Sequence, residues 1–320
     1  MNKFIYSIKN TVKKYAGQLG ILVALLLVLS LTSSTFRSFT NIINVTRQVS
    51  INMIVACAMT MVLIIGGIDL TVGSTMAVSG MLSGWLTLNG CPFLLSILVG
   101  LLSGVAIGMI NGAILAKTTL PPFIVTYSTS SIFRGLVYVI FGSATIRLVD
   151  DHYLNFGGGS IGFLPLPVIY MIVIIVISIL IVNYSKMGRH MFAIGGNIKA
   201  AFFSGINTSK VIFLTYTLSG VFAALAGIIL TSRNSSLQPA LGNGAEMDAI
   251  AAVVLGGTSM AGGRGSIGGT VLGAFIIGLI SNGLNMLAID SFYQLVVKGI
   301  IILIAVYADY IKNKKIASAK

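Results

Sequence analysis

Acidic residues are scarce in this chain: Asp69, Asp150, Asp151, Glu246, Asp248, Asp290 and Asp309 are all it has. Histidines are limited to His152 and His190, and cysteines to Cys57 and Cys91. So thin a supply excludes most chemistry. Acid–base catalysis needs titratable groups within hydrogen-bond reach of one another, and these are scattered. A metal site needs clustered Cys, His or carboxylate ligands at short spacing. Neither CxxC nor a Cys/His pair is present, and both thiols sit in or at the end of apolar runs. The string GxxxxGK[ST] is missing, so the chain has no P-loop of its own with which to hydrolyse ATP. No acid falls near the middle of an apolar run. That argues against a proton-coupled carrier, which keeps acids or histidines in mid-membrane. Charged residues make up 8% of the chain, against about 25% in a soluble domain, which excludes a soluble fold.

What is present is apolar. Hydrophobic residues are 56% of the sequence, grouped in runs of about 18–24 residues, the length that crosses a hydrocarbon core of about 30 Å. The runs predict spans at 17–34, 49–65, 71–88, 93–116, 122–141, 163–184, 211–231, 248–259, 267–288 and 293–307. The expected fold is all-α: one polytopic membrane domain over 1–320, of about ten transmembrane helices with Gly-rich broken segments. The first span follows a long basic stretch and precedes Thr32-Ser33-Ser34 rather than a small-residue cleavage site, so it reads as an uncleaved span. Ten spans put both termini on one side. Of the 20 Lys and Arg residues, most then fall in loops on the side of the termini. This is the bias that marks the cytoplasm. It makes 1–16 a cytoplasmic N-terminus, 185–210 a cytoplasmic loop and 310–320 a basic cytoplasmic tail. The same bias accounts for the net charge of +13 without nucleic acid as a partner.

Glycine is abundant, at 37 residues. Gly100, Gly104, Gly108 and Gly112 repeat every four residues and line one helix face, which lets a neighbouring helix approach closely. Gly265, Gly269 and Gly273 do the same in the ninth span. Two Gly-rich breaks follow similar strings: VLIIGG opens GGIDLTVGS (66–74), and VVLGG opens GGTSMAGGRGSIGG (256–269). The pair looks like the trace of an internal duplication. In transporters, interrupted segments at corresponding places in two halves mark the permeation path. Asp69, Gly256 and Gly257 are therefore candidates for the pathway or its gate. Asn111, Asn282 and Asn285 join them, because amides within spans can hydrogen-bond the hydroxyls of a neutral solute; plain interhelical bonding is the competing reading. Arg134 and Lys298, the two charges inside spans, read as snorkelling to the outer interface, with an ion-pair or pathway role as the alternative. Residues 233–248 read as a polar outer loop.

The longest polar interval between apolar runs, Ser185–Lys210, is basic and has no acid. Its middle predicts one short helix, with Asn197 as N-cap, Gly205 in the left-handed conformation after its end, and Ile198, Ala201 and Phe202 on one face. Such a helix lies on the membrane surface or docks a cytoplasmic partner.

GGIDLTVGS (66–74), GRHMFAIGGNIKAAFFSGIN (188–207) and DAIAAVVLGGTSMAGGRGSIGG (248–269), in this order, resemble the signatures of bacterial ABC-transporter permeases for monosaccharides. The likeness is greatest to the ribose permease group, whose relatives handle xylose, arabinose, galactose, allose and a furanosyl autoinducer. It runs from about residue 40 to 310. The resemblance implies a non-enzymatic subunit of a bacterial inner membrane that binds no cofactor itself. A cytoplasmic ABC ATPase would carry ATP-Mg, a periplasmic sugar-binding protein would deliver the sugar, and a second permease copy, identical or related, would complete the pore among the membrane lipids. It also places the coupling helix in the basic loop, on Arg189, Gly195, Gly196, Asn197, Ala200, Ala201 and Gly205. The competing expectations are a secondary sugar carrier working without an ATPase and a permease for a furanosyl autoinducer.

Overall fold

The computed structural model describes residues 15–318; the basic residues 1–14 and the last two residues of the tail lie outside the described residues. Helices dominate: α1 (Ala16–Thr32), α2 (Phe39–Ile64), α3 (Val72–Leu88), α4 (Phe93–Lys117), α5 (Pro122–Phe141), α6 (Asp151–Gly158) and α7 (Leu166–Ile179, continued by a π turn over Leu180–Tyr184). The chain goes on through α8 (Lys186–Gly196), α9 (Ile198–Phe203), α10 (Thr208–Asn234), α11 (Ala245–Leu255), α12 (Ile267–Met286) and α13 (Ser291–Ser318).

Among the described residues, seven helices are long and apolar enough to cross a membrane: α2, α4, α5, α7 with its π turn, α10, α12 and α13. The count of about ten spans is therefore not met by uninterrupted helices. α1 and α3 have 17 residues each. The predicted eighth span is a half-helix: α11 has 11 residues, about 16 Å at 1.5 Å per residue, roughly half the hydrocarbon core.

Local chemistry sets the ends. Ser38, Ser185, Asn197, Asn207 and Ser266 each accept a hydrogen bond from the backbone amide three residues on, which caps α2, α8, α9, α10 and α12. Proline opens α5 and α7, where its missing N–H costs nothing. The core forms around α2, which is buried from Val49 to Ile64 at every position but Asn52. Its sequence is apolar nearly all round, as a helix enclosed by other helices must be.

The glycine face of α4 packs on α10. A Cβ on Gly104 would overlap Ala224 and the Gly220 carbonyl, and one on Gly108 would stand 2.5 Å from the Tyr216 carbonyl. The second glycine series brings α12 against α11, with Gly273 on the Ala252 carbonyl. Dispersion between close-packed backbones replaces the hydrophobic drive that lipid cannot supply.

Residues 142–165 hold elements too short for periodicity to reveal. α6 is anchored by the fully buried Tyr153, whose hydroxyl lies 2.6 Å from that of Ser83. Ser160–Ile161 pairs antiparallel with Leu164–Pro165, and Ile146–Arg147 pairs with Ser236–Leu237.

Candidate functional site

The two Gly-rich breaks end their helices in the same way. After α2, Gly66 N–H donates to Leu63 O (2.9 Å) and Gly67 N–H to Val62 O (3.0 Å). After α11, Gly257 N–H donates to Val254 O (2.8 Å) and Thr258 N–H to Val253 O (3.1 Å). Both are Schellman motifs, with Gly66 and Gly257 at φ +78° and +88°, a conformation that side chains with a Cβ resist. The geometry therefore pairs Gly66 with Gly257, one residue out of step with a simple overlay of the two Gly-Gly strings. The breaks then meet. Gly263 N–H donates to Ile64 O at 2.9 Å, and Gly195 of α8 is wedged against both groups, so that a Cβ there would overlap them. Two helix breaks and the basic loop thus share one backbone junction. A cavity of about 440 Å³ opens beside it, between Gly66, Gly67, Thr118, Asn197, Ile198 and Tyr216.

The basic loop holds two helices, not one. α9 is the expected short helix: Asn197 Oδ1 accepts from Ala200 N–H at 3.0 Å, and Gly205 follows its end at φ +81°. α8 precedes it as an unexpected second element, capped by Ser185. The expected apolar face is divided. Ala201 is buried, whereas Ile198, Phe202 and Phe203 are exposed, Phe203 at 85%. Arg189, Gly196 and Ala200 are exposed too, and a Cβ on Gly196 would meet nothing within 4 Å. The loop thus presents Ile198, Phe202 and Phe203, with Lys199 beside them, on its exposed side.

Deeper in the bundle, the first break is held by its own Asp69 and Thr71 and by polar side chains from three helices, α4, α5 and α10. Asp69, 1% exposed, accepts from Thr71 N–H (2.9 Å), from the Thr71 hydroxyl (2.5 Å) and from Ser219 Oγ of α10 (2.6 Å). Asn111 of α4 donates to Thr71 Oγ1 (3.0 Å) and accepts from Thr129 Oγ1 of α5 (2.8 Å). Ile68 O accepts from the hydroxyls of Thr126 and Tyr216. A backbone that leaves helical geometry among apolar helices needs such partners. Asp69 and Asn111 therefore belong to one network, enclosed within the chain. Thr71, Thr126, Thr129, Tyr216 and Ser219 complete it and were not singled out by sequence. The i, i+3 spacing of Thr126 and Thr129 and the Thr two residues after Asp69 were the available signals.

The remaining candidates lie elsewhere. Asn282 of α12 and Asn41 of α2 exchange reciprocal amide hydrogen bonds at 3.0 and 3.3 Å. Asn285 is exposed and accepts from Gln294. Gly256 is buried against Gly269, and Gly257 is exposed.

Neither intramembrane cation snorkels. Arg134 Nη1 donates to Pro239 O (2.8 Å) and Leu241 O (2.7 Å). Lys298 Nζ donates to Asp248 Oδ2 of α11 at 2.8 Å. Each found an acceptor within the bundle because the supposed outer loop 233–248 turns inward beside α3. Lys298 stands about 10 Å along α13 from its start, where a lone charge is costly. We expect Lys298→Met or Asp248→Asn alone to cost about 3 kcal/mol, and the double variant to cost less than either sum predicts. Melting temperatures of the purified variants, compared as a double-mutant cycle, test this; additive losses would mean the pair is not coupled.

An all-helical membrane protein with two converging helix breaks and a two-helix polar loop at their junction has the build of a transport permease. The comparisons agree: the family described as branched-chain amino acid transport system / permease component matches residues 41–306, and the chain belongs to it. Ribose import permease protein RbsC of Bacillus subtilis (strain 168) is 45% identical over 303 residues, 94% of each chain. D-allose transport system permease protein AlsC of Escherichia coli (strain K12) is 38% identical over 89% of this chain and 88% of its own. Xylose transport system permease protein XylH of Haemophilus influenzae is 33% identical over 89% and 92%. No solved structure matches.

Proposed function

We propose that this chain is the membrane-spanning subunit of a binding-protein-dependent ABC importer for a monosaccharide, with ribose the first candidate. The observation that carries this is the near full-length similarity to sugar permeases, together with the absence of a P-loop. ATP-Mg is bound and hydrolysed by a separate cytoplasmic ATPase, and a sugar-binding protein delivers the solute from outside. A second copy of this chain, or a related one, completes the pore within the lipid.

In this reading α1, α3 and the broken segment 236–264 join the seven long helices as crossings, which makes ten and leaves both termini in the cytoplasm. The loop 185–210 is the coupling element. Arg189, Gly196, Asn197, Ala200 and Gly205 shape its docking face, whose apolar part is Ile198, Phe202 and Phe203. Ala201 and Gly195 fix it to the bundle. When the ATPase dimer closes on ATP, the loop moves, and Gly195 carries that movement to both breaks at once. Asp69, Asn111, Gly256 and Gly257 then act in gating, through the breaks they hold. Asn282 and Asn285 tie the outer ends of α2, α12 and α13.

Reconstitution with the ATPase and the binding protein tests this. D-ribose-loaded binding protein should raise ATP hydrolysis several-fold, with D-allose and D-xylose as comparators. No stimulation by any of them would overturn the assignment. Sugar uptake by the chain alone, driven by an ion gradient, would make it a secondary carrier.

A further inference from the structure

We propose that the polar half of the exposed α5 surface and the non-helical segment Ala240–Gly244, with the start of α11, line the water-filled route of the sugar, and that Asn243 and Glu246 meet its hydroxyls. This rests on the permease reading above and names the side chains that serve it. The segment runs inward along α3. Leu237 packs on Gly84, Leu241 on Gly80, and the Gly242 carbonyl on Gly73. From Gly84 to Gly73 is a descent of about 16 Å along the helix. Non-helical backbone at that depth is tolerated only inside protein or beside water. Yet Ala240, Asn243 and Met247 are exposed. A lipid chain against Asn243 and the turn around it would leave polar groups without partners.

α5 leads to the same place. Its exposed surface divides into an apolar half, with Ile132, Leu136 and Val139, and a half that is polar from mid-helix on, with Tyr127, Ser131 and Gly135 and with Ile124 only in the first turn. At 100° per residue Arg134 falls beside the polar half, not the apolar one, and its guanidinium holds Pro239 O and Leu241 O. The polar half of α5 therefore adjoins the inward segment, and Ser131 sits at mid-helix. Glu246 stands half-buried in the first turn of α11, within electrostatic reach of Arg134. An amide that both donates and accepts, and a carboxylate that accepts, suit the paired hydroxyls of a sugar.

The test uses the assembled importer with Cys91 replaced by Ala; Cys57 is buried. Asn243→Cys and Ser131→Cys should react with a charged, membrane-impermeant thiosulfonate roughly tenfold faster than Ile132→Cys, and the reaction should stop D-ribose uptake. Equal, slow rates at all three positions would overturn the route. So would disulfide cross-linking of two Asn243→Cys copies without reagent access, because the face would then be a contact between copies. Glu246→Gln should cut uptake about tenfold while Ser131→Cys labelling stays unchanged; unchanged uptake would remove Glu246 from the proposal. Fast labelling in an importer whose parent chain moves neither D-ribose, D-allose nor D-xylose would support the aqueous route and sink the substrate reading, which keeps the two failures apart.

Discussion

Gly195→Val should abolish uptake because the permease fails to assemble its own core, whereas Gly196→Trp should abolish uptake with the core intact. The two residues are neighbours in α8, but their surroundings are opposite. A side chain on Gly195 runs into the Ile64 carbonyl and the Gly263 amide. Those are backbone atoms of two different breaks and cannot yield as a side chain's end does. Overpacking typically costs about 1–3 kcal/mol, and here it also breaks the Gly263–Ile64 hydrogen bond, so we expect little folded protein in a membrane extract. Gly196 faces open space, with nothing within 4 Å of a Cβ built there, so a Trp side chain would leave the backbone without a clash. Its effect must come through what docks from below. Gly196→Trp should therefore purify as a monodisperse permease with near-parental melting and lose the ATPase on co-purification. Normal folding of Gly195→Val would show that the junction is not as tight as described. Retention of the ATPase by Gly196→Trp would remove that residue from the docking face.

The second large effect is expected at Asp69. Asp69→Ala removes the acceptor shared by the Thr71 amide, the Thr71 hydroxyl and Ser219. Each buried donor left without a partner costs about 1–3 kcal/mol, so the loss should reach about 3–5 kcal/mol and leave mostly aggregated chain. Asp69→Asn keeps one acceptor oxygen and should fall between Ala and the parent. Ser219→Ala removes only one arm and should cost about 1 kcal/mol. Thermal melting of the solubilised variants ranks them. If Asp69→Ala melted like the parent yet failed to transport, Asp69 would act on the solute itself and not through the break.

The spans of α4 and α5, the cap at Asn197 and the left-handed turn at Gly205 were legible because each is written in local chemistry: run length, a capping side chain, a residue without Cβ. The glycine faces were legible for the same reason, since spacing alone puts them on one side. What could not be read was distance. Asp69 is visible as an acid at a span end, but its partner Ser219 lies 150 residues along the chain, and an ordinary Ser carries no mark of which helix it will face. For Arg134 and Lys298 hydropathy leaves snorkelling and an ion pair both open, because it sees a charge near an end and cannot see Leu241 O or Asp248 inside. Residues 233–248 look like an outer loop for the same reason: the segment is polar, and only its packing on α3 shows that it turns inward. α8 is hidden in the sequence because Gly188, Gly195 and Gly196 argue against a helix on propensity, while close packing at Gly195 demands a residue without Cβ.

The half-helix α11 has a consequence for how the chain is made. Eleven residues with Glu246 and Asp248 in the first turn are too short, and too charged at one end, to cross a bilayer by themselves. Their stable position depends on α12, which supplies the glycine groove at Gly269 and Gly273, and on Lys298, which neutralises Asp248. Both are synthesised later. The order of emergence from the ribosome therefore sets the order of insertion. We expect α11, whose anchor Lys298 follows Asp248 by 50 residues, to reach its place only after α12 and α13 are made.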